Sequence, residues 1–180
     1  DLGLKPFDLS EVRNYCESLG VEYHVIETQI GEIIFDIRKE KNPCSLCAKM
    51  RKGVLYDTAV SLGCNKVALG HHKDDLIDTF FLSMIYEGKL NALKPIFYLS
   101  RCGLTAIRPL IYLPEAHVIN SIDRLKLPVA KSPCPANGNT KRDEIRKLVK
   151  HMCVEYPDFK DKIYLSIYNK ENYQLWLDRK

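Results

Sequence analysis

Residues 66–75 constrain the fold more than any others. Lys66-Val67-Ala68-Leu69 is a short apolar run, and Gly70-His71-His72 leads from it into Lys73-Asp74-Asp75. There a helical period begins, with Leu76, Phe80, Phe81, Met84 and Ile85 inward and Gly88 after it. A buried strand that runs straight into a helix belongs to a parallel sheet. In such sheets ligands sit beyond the carboxyl ends of strands, so the Gly70–Asp75 turn lies at a binding edge.

The remaining segments support an α/β fold with a mostly parallel sheet flanked by helices. Ser10 caps a short helix that stops at Gly20, and the β-branched and aromatic run Val21–Ile26 reads as a strand. Ile30, Ile33, Ile34 and Ile37 follow helical spacing, and Pro43 ends that element. A further helix runs through Met50, Val54, Leu55, Ala59 and Leu62 to Gly63. Residues 89–103 read as a loop, 105–107 as a strand, and Pro114-Glu115 opens a helix faced by Val118, Ile119, Ile122 and Leu125. Residues 128–130 read as a last short strand and 131–140 as a loop. Two helices follow, Lys141–Glu155 and Phe159–Tyr168, broken at Pro157. This places an α/β domain over 1–140 and a C-terminal helical segment over 141–180.

At 180 residues the chain suits one domain, with no apolar run as long as a membrane span and no signal-peptide pattern at Asp1-Leu2-Gly3-Leu4-Lys5-Pro6. The net charge of +4 permits a nucleic-acid partner without demanding one. The seven cysteines are an odd number, so the expected setting is a reducing cytoplasm rather than a disulfide framework. Cys16, Cys64, Cys102 and Cys153 read as small buried hydrophobes.

Cys44-Ser45-Leu46-Cys47 places two soft ligands on a loop entering a helix, beside Lys49, Arg51 and Lys52. Zinc, iron–sulfur and dithiol chemistry compete for that pair. Cys134, in the rigid Ser132-Pro133-Cys134-Pro135 loop, is a third thiol for an iron–sulfur cluster with one open iron. It also suits a zinc site completed by a nitrogen from His71 or His72. Asp74 and Asp75 fit a helix start on dipole grounds, or a carboxylate pair for Mg2+ or for positioning a nucleophile. Arg108 follows a strand and precedes Pro109, where a guanidinium can grip phosphate. No glycine-rich phosphate loop of the G-x-x-x-x-G-K-[ST] or G-x-G-x-x-G type occurs.

In combination, Pro43-Cys44-Ser45-Leu46-Cys47 before a basic helix, Gly70-His71-His72-Lys73-Asp74-Asp75, Ile107-Arg108-Pro109-Leu110 and Pro133-Cys134 resemble the tRNA 2-thiocytidine synthetases. These belong to the PP-loop (N-type ATP pyrophosphatase) superfamily, of adenine nucleotide alpha hydrolase-like fold. The resemblance implies an ATP- and Mg2+-dependent enzyme that adenylates C2 of an anticodon-loop cytidine and then replaces the activated oxygen with sulfur. It implies a 4Fe-4S cluster on Cys44, Cys47 and Cys134, whose open iron carries sulfur delivered by a cysteine desulfurase. Gly70, His71 and Arg108 match nucleotide-pocket positions, and Asp74, Asp75 and Arg51 match active-site positions. The partners implied are tRNA and the desulfurase, with no membrane and with a homodimer left open.

Two departures accompany the resemblance. Asn137 stands where many relatives carry a further cysteine. The Ser-Gly-Gly-x-Asp-Ser phosphate loop is expected before the segment that starts near Leu4, so the fold is read as N-terminally incomplete and the fragment as inactive alone. Two other readings compete: a uridine thiolase or other PP-loop ligase, and a zinc-stabilised, non-enzymatic RNA-binding module.

Overall fold

The structure is a computed structural model that describes residues 1–5, 8–169, 171 and 173. Two compact units interleave along the chain: residues 1–69, 96–107 and 116–140 form the first, and residues 70–95, 108–115 and 141–180 the second.

The first unit carries a three-stranded sheet in the order β1-β3-β2, from β1 (Lys66–Ala68), β2 (Ile96–Leu99) and β3 (Leu104–Ile107). β1 and β3 are parallel, with Val67 opposite Ala106, and β2 pairs antiparallel with β3, with Phe97 also opposite Ala106. The sheet is thus mixed. Residues 96–99, expected within a loop, form a hairpin strand that turns back through Gly103, whose φ of 69° suits glycine. Val67 and Leu104 pack against Ala59 of helix α3 (Pro43–Ser61), with Tyr56, Leu69, Leu99 and Cys102 around them. That apolar contact holds α3 against the sheet.

Helix α1 (Ser10–Ser18) forms where expected, but Ser10 is its first residue and not its cap; Leu9 holds the N-cap position, and the Asp8 carboxylate accepts the Ser10 N–H at 2.8 Å. Neither 21–26 nor 128–130 is a strand. Strand propensity needs a neighbouring strand, and neither segment joins the β1-β3-β2 sheet; the Ile26 carbonyl instead accepts from the Asp1 amine at 2.7 Å. The isoleucine-rich stretch folds as a single turn, α2 (Ile30–Glu32), which widens into a π-helix, Ile33–Ile37. Its marker is the Arg38 N–H donating to the Ile33 carbonyl at 2.9 Å. Ile30 and Ile34 are buried. Gly31 is required by close approach: its N–H donates to the Leu2 carbonyl at 2.6 Å, and a Cβ would meet the Leu4 side chain at 2.5 Å. After the π-turn, Lys39 adopts φ 48°, a left-handed conformation usually left to glycine.

Pro43 begins α3 instead of merely ending the previous element, because the first helical position needs no N–H. Cys44 and Cys47 therefore lie in the first turns of a helix, not on a loop before it. Helix α5 (Glu115–Leu125) completes the elements of the chain's middle.

The second unit is helical: α4 (Lys73–Glu87), α6 (Lys141–Glu155) and α7 (Phe159–Tyr168) pack pairwise on one another. Their core is Leu76, Ile77, Phe81, Ile111, Ile145 and Val149. Phe81 stacks on Phe159 with ring centroids 5.8 Å apart. α4 ends at Gly88, with φ 63°. Residues 170, 172 and 174–180 of the expected C-terminal segment lie outside the described residues. Among the described residues, no helix is long and apolar enough to cross a membrane.

Candidate functional site

The predicted functional residues fall into two groups, one in each unit. The first group is Cys44, Cys47, Arg51 and Cys134. Cys44 and Cys47 are one turn apart on α3, which puts both thiols on the same side of the helix. Arg51 follows one turn later, on that side. Burial pushes the Cys47 thiol up from its ordinary value, the Arg51 charge opposes this, and the Cys134 and Cys44 thiols add to the rise. Cys134 thus sits in the electrostatic neighbourhood of Cys47, although they are 87 positions apart in sequence (134 minus 47). All seven cysteines are free. Cys64 is exposed, contrary to its reading as a buried hydrophobe, because it follows the helix stop at Gly63.

Among the described residues, no three His, Cys, Asp or Glu side chains are gathered closely enough to hold a metal ion. The donor set nonetheless fits a soft, thiolate-ligated centre in its chemistry, being three sulfurs with a cation beside them. The thiols are neighbours and not yet a closed ligand shell.

The second group surrounds the start of α4. Gly70 and His71 are extended, and His72 is the N-cap residue. Gly70 is not demanded by the fold, since a Cβ there would meet nothing within 4 Å. Open space above its backbone suits the approach of another group. His71 Nδ1 accepts from Arg108 Nε at 3.4 Å. Arg108 is buried, and its Nη1 donates to the Lys94 carbonyl while its own N–H donates to the Pro95 carbonyl at 2.8 Å. The guanidinium therefore braces His71 and ties the 94–95 backbone.

Asp74 and Asp75 differ in surroundings. Asp74 Oδ1 accepts from Lys160 Nζ at 2.5 Å, and Oδ2 accepts the Glu115 N–H at 2.7 Å. Burial pushes this carboxyl up, but the Lys160 hydrogen bond, the Glu115 amide and the Lys160 charge together hold it below the ordinary carboxylate value. Asp75 Oδ2 accepts the His72 N–H at 3.2 Å, the helix-capping bond, and Oδ1 lies 3.5 Å from Arg142 and 3.6 Å from Arg146. Asp74 and Asp75 as arranged do not form a cradle for Mg2+: the first has both oxygens engaged, and the second faces two guanidiniums.

Sequence reasoning missed four members of this network: Asp78, Arg142, Arg146 and Lys160. Asp78 is buried, and its Oδ2 accepts from Arg146 Nε at 2.9 Å. Burial raises its pKa in spite of Arg146 and Arg142. Asp78 follows Asp74 and Asp75 at helical spacing, and that acidic face was the available signal. Lys160 and Arg146 carried none, since their partners lie 86 and 68 residues away. His72 lies among carboxylates, with Nε2 3.4 Å from Asp75 and 3.7 Å from Glu115, while its buried Nδ1 has no hydrogen-bond partner.

Comparison with known proteins converges. Residues 5–152 match the ATP-binding PP-loop domain. The chain is 34% identical over 157 residues to the tRNA-cytidine(32) 2-sulfurtransferase of Dechloromonas aromatica, covering 86% of this chain and 55% of that protein. It is 37% identical over 161 residues to the protein of the same name from Pelobacter propionicus, covering 88% and 60%. Among solved structures, the U34-tRNA thiolase NcsA from Methanococcus maripaludis with its [4Fe-4S] cluster is similar at a TM-score of 0.74 and 25% identity, over 92% of this chain and 57% of that one. The chain thus spans less than two thirds of the length of these relatives.

Proposed function

Because the chain belongs to the PP-loop domain family, we propose that it is part of an ATP-dependent tRNA sulfur transferase acting on C2 of an anticodon-loop cytidine. The cytidine oxygen attacks the α-phosphorus of ATP and pyrophosphate leaves. Sulfur then adds at C2, and AMP departs with the oxygen. The observation that carries this reading is the 34–37% identity over 157–161 residues to tRNA-cytidine(32) 2-sulfurtransferases, together with Cys44 and Cys47 one turn apart on α3.

Cys44, Cys47 and Cys134 are the residues to hold a 4Fe-4S cluster, which when bound supplies an open iron able to carry sulfur. Gly70, with open space at its backbone, and His71, held by Arg108, form the nucleotide-facing edge. Asp74 fixes the start of α4 through its two engaged oxygens. Asp75 is the carboxylate left to act at that edge once substrate displaces its guanidinium neighbours. Arg51 steadies negative charge at the thiols. Mg2+ enters with ATP, and no step is assigned to it. A cysteine desulfurase supplies the sulfur, in the cytoplasm, and a homodimer is compatible with the reading.

The test is anaerobic reconstitution of the full-length protein with iron and sulfide, followed by nucleoside analysis of its tRNA product. A brown chromophore that Cys134→Ala abolishes, together with 2-thiocytidine, is expected. Bound zinc and no chromophore in wild type overturns the cluster and favours the zinc-stabilised module. The similarity to a U34-tRNA thiolase favours a second reading, and 2-thiouridine in the product would establish it.

A further inference from the structure

The whole chain carries a formal charge of +4, yet residues 38–52 alone carry +5: six cations (Arg38, Lys39, Lys41, Lys49, Arg51 and Lys52) against Glu40. All six are exposed. Arg38 pairs with Glu40 at 3.5 Å, and Arg51 turns to Cys47. Among the described residues, Lys39, Lys41, Lys49 and Lys52 take part in no ion pair, although the chain holds 23 acidic residues. Resting on the tRNA reading above, we propose that these four lysines form a phosphate-docking strip that seats the RNA backbone next to Cys44 and Cys47.

Three observations support the strip. First, its two halves lie on elements that pack together, the π-turn with the residues after it and helix α3. They flank the cysteine pair from both sides of the sequence. Second, helical geometry separates the roles. Lys49 and Lys52 lie on one flank of α3, whereas Cys44, Cys47 and Arg51 share another. A backbone held on the first flank presents a base to the second. Third, Lys39 keeps a left-handed conformation that glycine would adopt without strain. A cation, not a glycine, occupies that position, between Arg38 and Glu40-Lys41, and its charge adds to the strip.

The chemistry favours RNA over an acidic protein. Lysine is depleted at protein–protein interfaces, whose cores are aromatic and apolar, and residues 38–52 contain no aromatic residue. Exposed, unpaired ammonium groups are what a phosphate backbone selects, with release of counterions.

The experiment is tRNA binding by the full chain, followed by fluorescence anisotropy across a salt series. The variant K39Q/K41Q/K49Q/K52Q is compared with wild type and with K147Q/K150Q, two exposed lysines of α6. Four lost phosphate contacts should lower the salt slope by about 3 and weaken binding at 0.1 M salt at least ~10-fold. The α6 variant should leave both unchanged, and circular dichroism should show all three proteins folded. A wild type that does not bind tRNA, or a slope that the quadruple variant leaves intact, overturns the strip. So does a quadruple variant that keeps tRNA and instead loses poly-glutamate, which would assign the lysines to an acidic protein. Full-length protein that binds with the expected slope yet, once reconstituted with iron and sulfide, forms no thiolated nucleoside defeats the sulfur-transfer reading and leaves the strip standing.

Discussion

In the second unit Lys73, Arg142, Arg146 and Lys160 each end on a carboxylate, at Asp161, Asp75, Asp78 and Asp74. In the first, Lys39, Lys41, Lys49 and Lys52 end in solvent. Both sets are long cationic side chains, and their environments are opposite. Where a cation meets a buried carboxylate, removing it strands a charge that water no longer solvates, and stability falls. Where it meets only water, removing it costs the fold almost nothing. Pairing therefore separates cations that hold the chain together from cations left available to a ligand.

The comparison can be broken most sharply at Asp78. Arg146→Ala should cost about 2–3 kcal/mol in urea unfolding, because Asp78 is only 3% exposed. Adding Asp78→Asn should recover part of that loss, since burial already disfavours the charged carboxylate. Equal losses in the single and double variants would show that the stranded Asp78 charge is not the source of the loss.

Lys160→Met should cost less, about 1–2 kcal/mol at pH 7, because the lysine is partly exposed. Asp74 is depressed below 3.8, so its contribution is complete above that value and is lost as pH falls through the depressed one. Lys160 is raised above 10.5, so its contribution is complete below that value and is lost as pH rises through the raised one. The gap between wild type and variant should therefore close at both extremes of a pH series of unfolding midpoints. A gap constant below pH 3.8 would contradict the pairing.

In the first unit the expected effects are small or reversed in sign. Lys39→Gly should stabilise by about 0.5–1 kcal/mol by relieving its left-handed backbone, while weakening tRNA binding. Lys49→Gln with Lys52→Gln should shift stability by no more than about 0.5 kcal/mol in thermal melts. A larger loss would move these lysines into the structural class.

Legibility in the sequence followed the range of the interactions. The bounds of α4, α6 and α7 are local facts: apolar period, capping residues, and Pro157 between the last two. The cysteines and the Gly70–Asp75 turn stood out because their residue types are uncommon together. Val21–Ile26 misled because its residues favour a strand while the strand's existence depends on a partner elsewhere. The hairpin strand at Ile96–Leu99 has a signal, four apolar residues before a glycine turn, but irregular sequence on both sides hides it. Arg108 was visible as a phosphate ligand by type, yet its tie to His71 spans 37 residues and no pattern announces it. Lys160 and Arg146 looked like ordinary surface charges for the same reason.

The interleaving of the two units has a genetic consequence. A nonsense codon after Thr140 would spare Cys44, Cys47 and Cys134 and all of the acidic turn at α4. It would delete Arg142, Arg146 and Lys160 together, leaving Asp74, Asp75 and Asp78 crowded without those counter-charges. Such an allele would retain the cysteine pair, the Gly70–Asp75 turn and Cys134 while losing the end of the family match at residue 152, and the acidic turn it encodes would repel itself.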